Sequence, residues 1–336
     1  AEKSKLVEGL LKNGMSEKKA EELWALIEPF AAYGFNKAHA ASYGHLAYKT
    51  AYMKANFPVP YMTAILTAES GDVERVSEII HECKKMEIEV LPPHINECFG
   101  NFTVIKNEGS KLDKIRFGFY TIKNLGTDIS DAIIEERKKN GPFASMESFL
   151  ERVQHKNLTK KSLEALIKAG AMDDFGDRGT FLQSMEELLA FTKSFSKVDK
   201  NQGSLFGGDT APKARLQIRE GGIAGKEEKL VWEKELLGLY ISGHPLERFQ
   251  EKIDKNGMHF KRLHEMGHQN MNVVSAAIID GIRKVITKKG GQMAFVKLSD
   301  MTGSMESVIF PDTFREFATI LVEQKCVAFK GKLSIR

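Results

Sequence analysis

The chain has 336 residues, 42% hydrophobic and 28% charged, with a formal net charge of +4. That length exceeds one ordinary core and predicts two or three domains of globular composition. No apolar run approaches the ~20 residues of a membrane helix, and no secretory leader follows Ala1; the small basic excess permits nucleic acid without requiring it. Cys83, Cys98 and Cys326 lie too far apart for a CxxC pair or a disulfide framework, which predicts a reduced, cytoplasmic setting.

The first ninety residues read as helices. Ser16 can cap a helix whose face carries Ala20, Leu23, Trp24, Ile27 and Ala31. A second helix is predicted over residues 40–56, stopping at Phe57-Pro58-Val59-Pro60, and a third from there to Ser70-Gly71. A fourth starts at Asp72 and should bury Val73, Val76, Ile80 and Cys83. Leu91-Pro92-Pro93-His94 breaks this pattern. Period-two alternation at Phe102 and Val104, and at Ile115, Phe117 and Phe119, predicts a short hairpin turning at Asn107-Glu108-Gly109-Ser110. Helices resume over residues 130–139, 160–168 and 180–195, the first two stopping at Gly141 and Gly170.

Residues 196–226 shift to Gly, Ser, Lys, Asp and Pro, the composition of a linker of low order. A helix follows over residues 227–239. Strands are then predicted at 273–286, 292–299 and 304–310, a helix at 312–322, and a strand at 326–334. Three strands, a helix and a strand is the order of an OB-fold, a five-stranded barrel that often binds single strands. Four strands fit before Arg336, so the expectation is an incomplete barrel in a piece of a longer chain. The predicted fold class is multidomain and mainly α with small β elements.

Four motifs could carry function. In Ile122-Lys123-Asn124-Leu125-Gly126, a tight turn feeds a helix near Thr127, leaving backbone N–H groups free to hold a phosphate. The pattern resembles a helix-hairpin-helix motif, which grips DNA without reading bases; an ordinary capped turn is the plain alternative. Asn157-Leu158-Thr159 could form a second such turn, with Lys156, Lys160 and Lys161 beside it, although a lysine run is commonly just a solvated face. Gln202, Gly203, Ser204, Leu205 and Phe206 place two large apolar residues in the linker, away from any core of their own, as a docking peptide would; the plain alternative is that Leu205 and Phe206 fold back on the parent domain. Asn36, Lys37 and His39 precede a helix start, where a cation could face a phosphate.

Chemistry-bearing motifs are missing. There is no DxD pair to hold two magnesium ions, no GxxxxGK[ST] loop and no GxGxxG fingerprint. His264 and His268 are one helical turn apart without a clear third ligand, so neither a metal site nor a catalytic residue is assigned.

Taken together, Phe35-Asn36-Lys37-Ala38-His39-Ala40-Ala41-Ser42-Tyr43, Arg116-Phe117-Gly118-Phe119, Lys168-Ala169-Gly170-Ala171-Met172-Asp173 and Ser242-Gly243-His244-Pro245-Leu246 resemble the bacterial DNA polymerase III alpha family along essentially the whole chain. The resemblance implies that residues 1–90 end a fingers domain. Residues 91–270 would form a clamp-binding region with tandem helix-hairpin-helix elements, and 271–336 would start the OB domain. It implies that Asn36, Lys37 and His39 contact the phosphates of the incoming nucleotide. Lys123, Asn124, Leu125, Gly126, Thr127, Lys160 and Lys161 would hold duplex DNA, and residues 202–206 would bind the sliding beta clamp. The implied parent is a magnesium-dependent DNA-directed DNA polymerase of the bacterial cytoplasm, part of a replicase holoenzyme. The implied role of this segment is to bind primer-template duplex, the clamp and a single strand at the OB domain, without the palm's active site or a cofactor of its own. The rivals are a non-catalytic DNA-binding adaptor and another helix-hairpin-helix and OB enzyme such as a DNA ligase, which would need a KxDG lysine and four zinc cysteines.

Overall fold

The computed structural model describes residues 2–32, 37–109, 112–196, 215–219, 221–266, 269–287 and 290–334. Two compact units divide the chain, Ala1–Tyr61 and Met62–Arg336. The first holds α1 (Glu2–Lys12), α2 (Glu17–Ala32) and α3 (Lys37–Asn56), and α4 (Pro58–Ala68) runs across the division. Helix α2 starts directly after Ser16, and an ion pair from Lys3 to Glu21 (3.1 Å) links it to α1. Helix α3 stops at Phe57, and Pro58 opens α4, the position where a missing N–H costs nothing.

The second unit opens with α5 (Val73–Lys85), capped by Asp72, whose side chain accepts from the Arg75 N–H. Its buried stripe is Val76, Ile79 and Cys83. The sequence reading put Ile80 there; spacing of i, i+3, i+7 places Ile79 on the inner face and leaves Ile80 half-buried. Next come β1 (Val90–Leu91), β2 (Thr103–Ile105) and β3 (Lys114–Arg116). Strands β2 and β3 form the expected antiparallel hairpin, and β1 pairs in parallel with β3, too short to leave a pattern in the sequence. A side chain at Gly118 would collide with the backbone of Gly100 and Asn101, which explains the glycine in Arg116-Phe117-Gly118-Phe119.

Five helices follow: α6 (Thr127–Asn140), α7 (Met146–Arg152), α8 (Lys160–Lys168), α9 (Arg178–Gln183) and α10 (Met185–Ser196). Helix α7, capped by Ser145, was not anticipated. The single helix expected over 180–195 is two, broken at Ser184, whose fully buried hydroxyl accepts from the Arg219 N–H. Phe117, Phe119, Phe143, Phe149 and Phe181 are among the largest fully buried side chains of this region.

Residues 215–219 and 221–225 form a strap without regular structure. It is pinned by Leu216 N–H to Glu147, by Arg219 to Glu187 and by the Thr180 hydroxyl to the Gly221 carbonyl. Asp177 accepts from the N–H groups of both Gly179 and Ala224 and pairs with Lys229 at 2.7 Å. Burial opposes ionisation of Asp177, but these donors outweigh it and hold its carboxyl down at about 2.

Helix α11 (Lys226–Leu237) ends at Gly238 in the left-handed region (φ 81). Within α11, Glu233 is fully buried and accepts from Arg178 and from the N–H groups of Ile241 and Ser242. Arg178 also forks onto Asp173 (2.8 and 2.7 Å) and donates to the Lys168 carbonyl (3.0 Å). Gly170 (φ 84) sits against that guanidinium, where any side chain would clash. Two of the motifs that carried the family resemblance are thus joined by one buried ion-pair network.

The last module comprises α12 (Gln250–Asn256), α13 (Phe260–Met266), β4 (Asn272–Ile286), β5 (Gln292–Ser299), β6 (Ser304–Ile309), α14 (Pro311–Phe317) and β7 (Cys326–Lys332). The strands form a curled antiparallel sheet of order β6-β5-β4-β7, an incomplete OB-fold. Strand β4 has 15 residues, and a bulge between Ile279 and Gly281 bends it. One half pairs with β7 and the other with β5, which curls the sheet around Val273, Ala277, Ile279, Val296 and Leu298. Leu246, Ile253 and Ile278 form a second, smaller buried cluster beside it.

Candidate nucleic-acid interface

The first hairpin is anchored by Ile122 and Leu125, both buried, with Lys123, Asn124, Gly126 and Thr127 exposed between and after them. The Lys123 N–H donates to the Leu236 carbonyl (3.0 Å), and Leu125 N–H closes the turn onto Ile122 (3.2 Å). Asn124 takes a left-handed conformation (φ 69), which asparagine tolerates better than most residues. Gly126 is the N-cap of α6 and supplies no side-chain cap, so the N–H groups of residues 127–129 have no acceptor within the helix. Gly126 has an ordinary φ of −70 and open space where a Cβ would stand. Neither backbone strain nor packing in this structure demands glycine there. The missing side chain leaves an approach to the helix amides.

The second hairpin differs. Thr159 and Ser162 form a reciprocal capping box, with Thr159 N–H donating to Ser162 Oγ at 2.8 Å and Ser162 N–H to Thr159 Oγ1 at 3.3 Å. Its helix start is therefore partly satisfied from within. Lys156, Lys160 and Lys161 are exposed around it. The Asn157 amide donates to the Asp128 carboxylate (3.3 Å), which brings the two turns within one hydrogen bond of each other. Asp128 introduces a negative charge beside the first turn that sequence reasoning did not weigh.

In the first unit, Lys37 opens α3 and is exposed, and the His39 ring lies 4.4 Å from that of Tyr43. Asn36 falls outside the described residues. Helix α3 buries nothing: its sequence carries lysines, histidines and tyrosines and no aspartate or glutamate. Gln202, Gly203, Ser204, Leu205 and Phe206 also lie outside the described residues.

The OB sheet adds residues that sequence reasoning missed. Ala294, Val296 and Leu298 of β5 enter the barrel core, so Met293, Phe295 and Lys297 belong to the other face. Arg283 of β4 and Val308 of β6 stand directly across from Phe295 on that face. The Arg283 guanidinium lies 4.6 Å from the Phe295 ring centroid, a cation–π pair on a half-buried aromatic. The signal was in the sequence as Phe295 and Lys297 at period two, but only the strand register brings Arg283 alongside.

His264 Nε2 reaches the Ser304 carbonyl at 3.4 Å, and His268 lies outside the described residues. Among the described residues, no three His, Cys, Asp or Glu side chains gather in a group able to hold a metal ion, and no helix is long and apolar enough to cross a membrane.

Residues 87–181 match the family model of the helix-hairpin-helix motif, and residues 273–336 that of an OB-fold nucleic acid binding domain. A hairpin module followed by an OB-fold defines a nucleic-acid-binding protein. Its relatives include the DNA polymerase III alpha subunits of Deinococcus radiodurans (36% identical over 94% of this chain and 24% of that protein) and Thermus aquaticus (36%, over 92% and 25%). That of Bacillus subtilis is 34% identical over 100% of this chain and 29% of its own length. The chain therefore belongs to the DNA polymerase III alpha-subunit family, and it spans 24–29% of the length of these relatives.

Proposed function

We propose that this chain is the part of a replicative DNA polymerase that grips duplex DNA and tethers the enzyme to its sliding clamp. The observation that carries the reading is the uncapped start of α6 at Gly126, with exposed Lys123 one turn before it. Free helix N–H groups and the positive end of the helix dipole suit a backbone phosphate. Such contacts are independent of base sequence, as a sliding enzyme requires. Lys160 and Lys161 extend the same grip from the neighbouring hairpin. The face carrying Phe295, Arg283 and Lys297 supports single-strand binding, with the ring as a stacking surface and the cations for phosphates.

Within this reading, residues 1–90 finish the fingers domain, with Asn36, Lys37 and His39 near the incoming nucleotide. Residues 91–270 form the hairpin and clamp-binding region, and 271–336 begin the OB domain. Residues 202–206 are the clamp peptide, with Leu205 and Phe206 as anchors, and the clamp raises the local concentration of primed DNA. The setting is the bacterial cytoplasm, within a replicase holoenzyme. Magnesium-dependent nucleotidyl transfer is assigned to the parent subunit. No chemical step is assigned to the residues of this chain, and purified alone it is expected to show no primer extension.

Two substitutions test the duplex grip. Lys123→Glu is expected to weaken duplex binding and to lower the slope of log K against log salt by about 0.9, one phosphate contact. Equal affinity and slope for both proteins would remove Lys123 from the interface. Gly126→Asp separates stability from function: an acidic N-cap should stabilise α6 by a few tenths of a kcal/mol. The same carboxylate would occupy the amides and lower duplex affinity about tenfold or more, the scale of one lost charge-assisted hydrogen bond. Thermal melting and a duplex titration on the same sample read the two opposite signs, and unchanged affinity would exclude the phosphate site.

A further inference from the structure

We infer that Glu74 of α5 is a latch on the single-strand face of the OB sheet, holding Lys297 until a phosphate takes its place. The inference rests on the proposed single-strand reading of that face and names its regulation. Lys297 and Glu74 are 223 residues apart and form a direct ion pair. Lys297 lies on β5 two residues from Phe295, on the same face, so this cation is the one nearest the stacking ring along its own strand. In the free protein a carboxylate already engages it.

Glu74 is not there by the drift of a long side chain. Its neighbour Val73 packs directly onto Gly238, where no Cβ could be accommodated, so the start of α5 is seated on the end of α11. The OB barrel is fixed to the same post: Lys234 of α11 pairs with Asp280 at the β4 bulge (3.3 Å), and the Tyr240 hydroxyl donates to Gln324 (2.7 Å). Both halves of the ion pair are thus tied to α11 and the residues that follow it. The pair itself remains solvent-accessible, with the Glu74 side chain 76% and the Lys297 side chain 45% exposed. A pair that open to water is weak and exchangeable, which a latch requires. A strand lying across Phe295 brings a phosphate that competes with Glu74 for the Lys297 ammonium. Glu306, opposite Lys297 on β6, is a second acid on this face and adds to the same opposition.

The test is a fluorescence titration of the full chain with labelled oligothymidylate. Glu74→Gln is expected to tighten binding about two- to fivefold at low salt, the scale of one exposed ion pair. Its salt slope should match that of the wild type, because the same Lys297–phosphate contact forms in both bound states. The gain in affinity should vanish in Lys297→Gln, with or without Glu74→Gln. Glu78→Gln removes the same charge from the same helix, where the carboxylate pairs with Arg75, and should tighten nothing. If Phe295→Ala weakens binding while Glu74→Gln leaves it unchanged, the platform stands and the latch is wrong. Equal tightening by Glu78→Gln also overturns the latch, leaving only bulk charge. If neither Phe295→Ala nor Lys297→Gln alters binding, the single-strand reading itself fails.

Discussion

Arg178→Ala is expected to lower the unfolding free energy by about 3–5 kcal/mol, the cost of leaving one partner of a buried ion pair uncompensated. The partner left behind is Glu233, fully buried, held among the described residues by the N–H groups of Ile241 and Ser242. The substitution also strips a donor from the Lys168 carbonyl and opens space beside Gly170. Asp173 is of less consequence, since its side chain is 45% exposed and water can replace the lost guanidinium. Urea unfolding followed by Trp232, next to Glu233 on α11, reads the loss. Arg178→Lys keeps the charge without the planar fork and should recover only part of the stability. Adding Glu233→Gln to Arg178→Ala should restore some of it, because the stranded charge is then gone. A loss below about 1 kcal/mol would mean that the network is not the clamp between α8, α9 and α11 described above.

The second large effect is on association. Leu205→Ala with Phe206→Ala is expected to weaken binding to purified sliding clamp by about a hundredfold or more, since two apolar anchors of a docking peptide each contribute on the order of 2 kcal/mol. Duplex affinity and the circular dichroism spectrum should not change, because the two anchors are assigned to the clamp and not to the hairpins or the core. Unchanged clamp affinity would remove residues 202–206 from the interface and leave the DNA grip unaffected.

Much of the fold was legible because local signals carried it. Period-two alternation found β2 and β3, the strands of the OB sheet stood out between their turn residues, and glycine and proline marked the ends of α3, α6 and α8. What escaped was short or set by distant partners. Strand β1 has two residues and exists only through pairing with β3. The break at Ser184 depends on a hydrogen bond from Arg219, 35 residues away. The C-terminal part of the expected linker is pinned as a strap by Glu147, Thr180, Ser184 and Asp177, none of them within it.

The uncapped turn at Gly126 was readable for the same local reason: backbone donors at a helix start are a property of a few consecutive residues. Family resemblance was carried by four short motifs, and the fold explains the glycines of two of them by collision, at Gly118 and Gly170. The sequence by itself therefore determined most of the elements, the barrel order and the uncapped turn at Gly126, all products of near-neighbour chemistry. Only the tertiary structure decided that Arg178 and Glu233 join α8 and α9 to α11, that Arg283 lies over Phe295, and that Glu74 reaches Lys297. Those contacts link residues 55, 12 and 223 positions apart, and no periodicity in a chain encodes which distant side chains its folding will bring together.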